Sequence, residues 1–105
     1  MKTILEIGKN PTLNTFSEKN LYSQLFRAAS SIGANIAEGY GRNNPKEYKQ
    51  FLGIARGSAM ETQFWLELAQ ECFTIDASIS VNINSELIKI TTVTIKNLSG
   101  SSSNS

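Results

Sequence analysis

Histidine is absent from this 105-residue chain, and with it go the usual general base near neutral pH and the commonest transition-metal ligand. A helical nuclease built on an arginine and histidine pair is disfavoured on that ground alone. Cysteine occurs once, as Cys72, so no internal disulfide can form and the composition fits a reducing cytoplasm. A lone thiol of this kind usually behaves as a small buried hydrophobe. Neither sign of charge is in surplus: 10 Lys and Arg against 9 Asp and Glu leave a net +1, so no global field selects nucleic acid or membrane. A long hydrophobic run is also missing. Met1 to Lys9 sets Lys2, Glu6 and Lys9 around a few apolar residues, which makes neither a signal peptide nor a membrane span. There is no P-loop and no dinucleotide fingerprint. Glu38, Glu47 and Glu61 do not fall into a metal-ligand spacing. The expectation is a protein without catalytic residues, metal, cofactor or small-molecule substrate.

What is present is helical periodicity. From Ser17, a plausible N-cap, to about Tyr40, the residues Leu21, Leu25, Ala28, Ile32 and Ile36 recur at three- and four-residue spacing on one face. Gln24, Arg27, Ser31, Ala34 and Glu38 align on the other, a polar stripe that would ordinarily face water. Gly39 and Gly41 can supply the positive φ that ends a helix. Asn44-Pro45-Lys46-Glu47 then reads as the next start, with Asn44 as N-cap, Pro45 as first helical residue and Glu47 as capping-box partner.

This second helix is predicted from Pro45 to about Phe73, with Tyr48, Phe51, Leu52, Ala55, Ala59, Thr62, Leu66, Ala69 and Phe73 as its core stripe. Ile54, Trp65, Leu68 and Cys72 lie a quarter turn or more away, with Phe64 beside them. A helix apolar on two sides asks either for a wide core or for another subunit, and self-association is the reading we favour. Gly53 and Gly57, one turn apart inside the helix, each cost about 1 kcal/mol relative to alanine. Close approach of another helix, or of a ligand, would offset that cost.

Beyond Thr74 the pattern weakens. Asn84 or Ser85 could cap a last helix carrying Leu87, Ile90, Val93 or Thr94, and Leu98. The run Ile90 to Ile95 is β-branched and would be a strand by propensity. A lone strand would have no partner, so helix is expected. One domain is expected over residues 1–98, followed by a Ser-rich disordered tail at 99–105.

Charge is uneven along the second helix. Arg42, Lys46, Lys49 and Arg56 are countered only by Glu47 in their stretch, whereas Glu61, Glu67, Glu71 and Asp76 follow with no basic residue among them. Basic first and acidic last opposes the helix dipole, at about 0.3 kcal/mol or more per exposed charge. The basic entrance is therefore a candidate phosphate-contact surface, and the alternative is an ordinary solvated face. Without interleaved exposed aromatics, base-specific readout has little support. Arg27, Asn35, Glu38 and Glu61 are candidates for a polar network that sets helix register, with Arg42 and Arg56 as further ion-pair partners.

The residues Gln24, Arg27-Ala28-Ala29, Ser31-Ile32, Asn35-Ile36-Ala37-Glu38-Gly39, Gly41-Arg42, Glu47, Phe51-Leu52, Ile54-Ala55, Gly57-Ser58 and Glu61 carry a further signal. Together they closely resemble the small bacterial four-helix-bundle proteins first associated with intervening sequences in 23S ribosomal RNA genes. The resemblance spans roughly residues 13 to 75. It implies an all-α, antiparallel up-and-down four-helix bundle that assembles into a ring, commonly a pentamer. It also implies structured RNA or an RNA-processing protein as partner, since related accessory proteins of diversity-generating retroelements bind reverse transcriptase and RNA. Members of the family usually begin with a full first helix, and only about twenty residues precede Leu21 here. With Pro11 interrupting them, a helix over Lys2 to Lys9 would be a short remnant, so the expected bundle has a shortened or incomplete first helix.

Overall fold

The computed structural model describes the backbone of residues 11–73 and 75–104, and the side chains of 16–73 and 75–100. Three helices make up the described chain: α1, Pro11–Gly41; α2, Pro45–Phe73; and α3, Ser78–Asn104. The fold is all-α, with no strand among the described residues. The expected remnant helix over Lys2 to Lys9 lies outside them. None of the described helices is long and apolar enough to cross a membrane.

Helix α1 starts at Pro11, ahead of the Ser17 cap expected from the sequence. Proline suits a first turn, where its missing N–H would have had no intrahelical acceptor and its fixed φ is already helical. What reads locally as an interruption is thus a beginning. The other end of α1 also differs from expectation. No described glycine has positive φ, and the left-handed residue is Asn43, at φ 54°. Asparagine tolerates that conformation better than most residues. The last turn tightens through i→i+3 bonds, with Arg42 N donating to Gly39 O at 3.3 Å and Asn43 N to Tyr40 O at 3.4 Å.

Gly39 serves a different purpose. It is buried inside α1, and a Cβ placed on it would lie 2.7 Å from the Phe51 Cβ and 3.2 Å from the Tyr48 ring. The missing side chain is what lets α1 settle against the first turns of α2. Asn44 caps α2 as expected: its Oδ1 accepts from Lys46 N at 3.0 Å and Glu47 N at 3.1 Å. The reciprocal half of the capping box is replaced, because the Glu47 carboxylate faces Arg42 at 3.8 Å.

Leu52, Ala55, Ala59, Thr62, Leu66 and Ala69 form the buried stripe of α2. Leu21, Ala28 and Ile32 of α1 are buried against it. Helix α3 begins at Ser78, earlier than the cap expected at Asn84 or Ser85. Asp76 does the capping, accepting from the Ser78 amide at 3.2 Å and hydroxyl at 2.8 Å. Asn84 is instead buried, its Nδ2 donating to Ala59 O at 2.8 Å and Gln63 Oε1 at 2.9 Å on α2. Of the stripe read from the sequence, Ile90 is exposed, Val93 is exposed while its alternative Thr94 is half-buried like Leu87 and Leu98, and Thr91 is buried.

The β-branched run is helical. Thr91, Thr92 and Thr94 return their hydroxyls to carbonyls one turn back, Thr92 to Ile88 O at 2.7 Å and Thr94 to Ile90 O at 2.8 Å. The α3 backbone continues to Asn104, through the stretch where serine-rich composition suggests a disordered tail. Helix propagation adds one backbone bond per residue fixed, so an established helix extends further than composition alone would start one.

Helix α2 is the centre of the arrangement. It packs on α1 along one flank and on α3 along the other, while α1 and α3 do not pack on each other. The molecule is a rod, 58 × 20 × 18 Å with a radius of gyration of 17.0 Å, against about 13 Å for a compact chain of this size. A groove runs between α1 and α3 with α2 as its floor.

Candidate functional site

Three groups of polar side chains tie the helices together, and most of the residues singled out in the sequence belong to one of them. At the α1–α2 turn, Arg42 Nη2 donates to Glu38 Oε1 at 2.8 Å, its Nη1 lies 3.8 Å from Glu47, and its guanidinium sits 5.2 Å from the Phe51 ring centroid. With two carboxylates and a π-face around it, Arg42 clamps the turn rather than offering a free positive charge. Midway along the helices, Arg27 is ion-paired with Glu61 and donates from Nε to Gln24 Oε1 at 3.1 Å. Glu61 also accepts from the Trp65 indole at 3.2 Å. Between these two groups, the Ser31 and Ser58 hydroxyls meet across the helices at 2.9 Å, and Asn35 donates to Ser31 O at 2.8 Å.

The stripe expected to face water is therefore partly an inter-helix seam. Arg27 and Glu61 come together, Asn35 joins the serine pair, and Glu38 belongs to the separate Arg42 clamp. The Arg27–Glu61 pair is substantially solvent-exposed, so its contribution lies within the modest range of surface pairs, about 1 kcal/mol or less. Its larger effect is on register: it links positions thirty-four residues apart in sequence.

The remaining basic residues stand apart from these clamps. Lys46 is exposed and Lys49 half-buried, and neither has an ion pair among the described residues. Arg56 donates from Nε to Thr92 Oγ1 at 2.6 Å, which anchors it to α3. That bond also sets the antiparallel register of α2 and α3. One turn beyond Thr92 comes Lys96, level with Leu52 and thus between Lys49 and Arg56 along the rod. The sequence reading missed Lys96 because it belongs to another helix, and only the Arg56–Thr92 pairing reveals its place.

A second omission is aromatic. Tyr40 is 78% exposed two residues before Arg42, with its ring edge-on to Tyr48 at 6.4 Å. The basic end does carry an exposed aromatic, contrary to the reading that it lacks one. Gly53 and Gly57 are exposed, and among the described residues nothing beyond their own stretch of helix lies within 4 Å of a Cβ built on either. The close helix contact expected there is not made within the described chain. On the same helix Ile54, Met60 and Phe64 are exposed, Trp65, Leu68 and Cys72 half-buried, and the Phe64 and Trp65 rings meet edge to face at 5.0 Å.

No group of three or more Cys, Asp or Glu able to hold a metal is found among the described residues. One titratable group stands out. The hydroxyl and amide of Ser78 hold the Asp76 carboxyl below its ordinary pKa, which is the signature of a helix cap and not of an acid–base site. These polar groups set helix geometry, and a basic end and apolar side chains are left exposed among the described residues.

Neither a curated protein nor a solved structure matches the chain. The family model for the 23S rRNA-intervening sequence protein matches residues 1–96. That span takes in all of α1 and α2 and most of α3, together with every polar clamp described above. The chain belongs to the 23S rRNA-intervening sequence protein family.

Proposed function

We propose that this protein is a non-catalytic, cytoplasmic, homo-oligomeric helical scaffold that contacts structured RNA, or a protein that processes it, through the basic end of α2. The observation that carries this reading is the division of labour among the basic residues. Arg42 is neutralised within the frame, whereas Lys46 and Lys49 have no ion pair among the described residues, with Arg56 and Lys96 beside them. Positive charge with no ion pair among the described residues, at a helix start where the dipole disfavours it, is what an anionic partner would explain. The exposed Tyr40 ring adds a surface on which an unpaired base can stack.

The finer expectation also belongs to this reading: an antiparallel four-helix bundle whose copies close into a ring. Its support is the uncovered apolar surface on two sides of α2, at Ile54 and Phe64 outside and in the groove inside.

The test is a titration of structured RNA at several salt concentrations with the wild-type chain and Lys46→Glu/Lys49→Glu. The double variant should bind more weakly and flatten the log–log salt slope by about 1.5, for two lost phosphate contacts. Absence of salt-sensitive binding by the wild type, or an unchanged slope in the variant, removes RNA from the proposal. The exposed Phe64 beside Trp65 favours a second reading, a protein-binding adaptor. In that case partner capture survives the charge reversal and fails on disruption of Trp65 or Leu68.

A further inference from the structure

We propose that the cavity at the α1–α2 turn receives one unpaired base of the bound RNA, so that the basic end distinguishes a loop or bulge from a paired stem. The inference rests on the RNA reading above and names the part of the RNA that is held. The cavity has a volume of about 220 Å³, with Tyr40 on the α1 side, Asn43 and Asn44 in the turn, Tyr48 on the α2 side and Leu98 on α3. Its place at the turn leaves the apolar sides of α2 open to assembly.

Two local features build it. Asn43, left-handed at φ 54°, lies in the three-residue link that sets the last turn of α1 beside the first of α2. Gly39 has no Cβ, so the Tyr48 ring comes within 3.2 Å of where one would stand. The two tyrosines thereby wall a single space.

Three observations select the occupant. The first is the pair of rings. Their centroids are 6.4 Å apart and their planes 81° from parallel, so a flat group laid on the open face of Tyr40 meets Tyr48 edge-on. An exposed aromatic ring offers a π-face to any base, whatever its sequence.

The second is size. A space of about 220 Å³ falls below the range of about 300–1,000 Å³ that encloses a drug-sized ligand, so it takes one ring system and not a base pair. Bases in a stem stay stacked on their neighbours, whereas those of a loop or bulge can be splayed out onto a side chain.

The third is the polar surroundings. Asn44 gives its Oδ1 to the α2 cap, while its Nδ2 and the side-chain amide of Asn43 have no partner among the described residues. Donors and an acceptor therefore stand at the rim for the edge of a base. Lys46 follows Pro45 directly, and Lys49, one turn after Pro45, shares the cavity face of α2. Neither lysine has an ion pair among the described residues, whereas the nearby carboxylates of Glu38 and Glu47 are engaged by Arg42. A protein partner's aromatic side chain would satisfy the rings alone. A nucleotide satisfies the lysines as well, because its phosphate arrives with its base.

A hairpin RNA with an unpaired loop and a fully paired duplex carrying the same number of phosphates, each titrated with the full chain, Tyr40→Ala and Tyr40→Trp, test the proposal. Circular dichroism establishes that each variant keeps its helices. The wild type should prefer the hairpin, and Tyr40→Ala should lower that preference about tenfold or more, for one lost stacking contact. The salt slope should stay as it is, since no charge is removed. Tyr40→Trp, which keeps a stacking face, should restore the preference. In the wild type the hairpin, and not the duplex, should move the Tyr40 ring proton resonances upfield, which decides the matter if a variant fails to fold.

Salt-sensitive binding that is equal for hairpin and duplex, or a preference that Tyr40→Ala leaves intact, overturns the base site and leaves the basic-end reading standing. Absence of salt-sensitive binding to either RNA overturns both. In that event, a protein partner lost on Tyr40→Ala would assign the cavity to a protein side chain.

Discussion

Gly39 and Gly57 are the same residue type in neighbouring helices, and their surroundings give them opposite consequences. Gly39 touches α2 so closely that the Cβ of Gly39→Ala would sit 2.7 Å from the backbone-anchored Cβ of Phe51, so α1 and α2 must separate at the turn. Overpacking of this kind costs about 1–3 kcal/mol, and the thermal midpoint should fall accordingly. Gly57 has open space around it. Gly57→Ala should therefore stabilise the single chain by about 1 kcal/mol through backbone entropy, raising the midpoint by about 4–8 °C in differential scanning calorimetry. A lowered midpoint would mean that the backbone of another chain rests on this glycine. Sequence reasoning marks both positions as unusual and misassigns Gly39, because a glycine required by a neighbour twelve residues away looks the same as one required by its own φ. The left-handed turn residue is Asn43, and with two glycines close by, nothing in the sequence singles it out. Asn44 was legible because a cap depends only on the three residues that follow it.

At the scale of elements, α3 was the least legible helix. Its buried positions include Asn84 and Thr91, which pattern reading assigns to the surface. Burial is tolerable because Asn84 finds acceptors on α2 and Thr91 returns its hydroxyl to Leu87 O and Ile88 O, both at 3.0 Å. Such satisfaction depends on a second helix or on the helix itself, so one-dimensional hydrophobicity does not record it. The α2 stripe, made of alanines, leucines and one threonine, was legible almost residue by residue. The start of α3 carries a pH dependence of known sign. The Asp76 carboxyl is held below its ordinary pKa by Ser78, so the cap contributes fully above the ordinary carboxylate value and is lost as pH falls through the lowered one. The Ser78 amide resonance should follow that titration in an NMR pH series. In Asp76→Asn the cap should persist without titrating, since asparagine caps as well as aspartate. An amide that still titrates in the variant would place the proton elsewhere.

Over the whole molecule, stability is distributed as the packing is. The most completely buried side chains are small, Ala55, Ala59 and Ala28, so little apolar area is removed from water per residue and the rod is modestly stable for its length. Among the described residues α2 is held on both flanks, whereas α1 and α3 each pack on α2 and not on each other. Of the two, α3 is the weaker attachment, since its buried positions among the described residues are Asn84 and Thr91, neither of them a large hydrophobe. Helix α3 should therefore open without the rest of the chain. Native-state hydrogen exchange on dilute protein should show mid-α3 amides exchanging about tenfold or more faster than those around Ala55 and Ala59 of α2. Raising the protein concentration should narrow the gap only where self-association covers α3, since a partner that binds the folded chain adds to its stability. A gap independent of concentration would separate the stability of α3 from assembly, and equal protection at every concentration would mean that the three helices unfold as one unit.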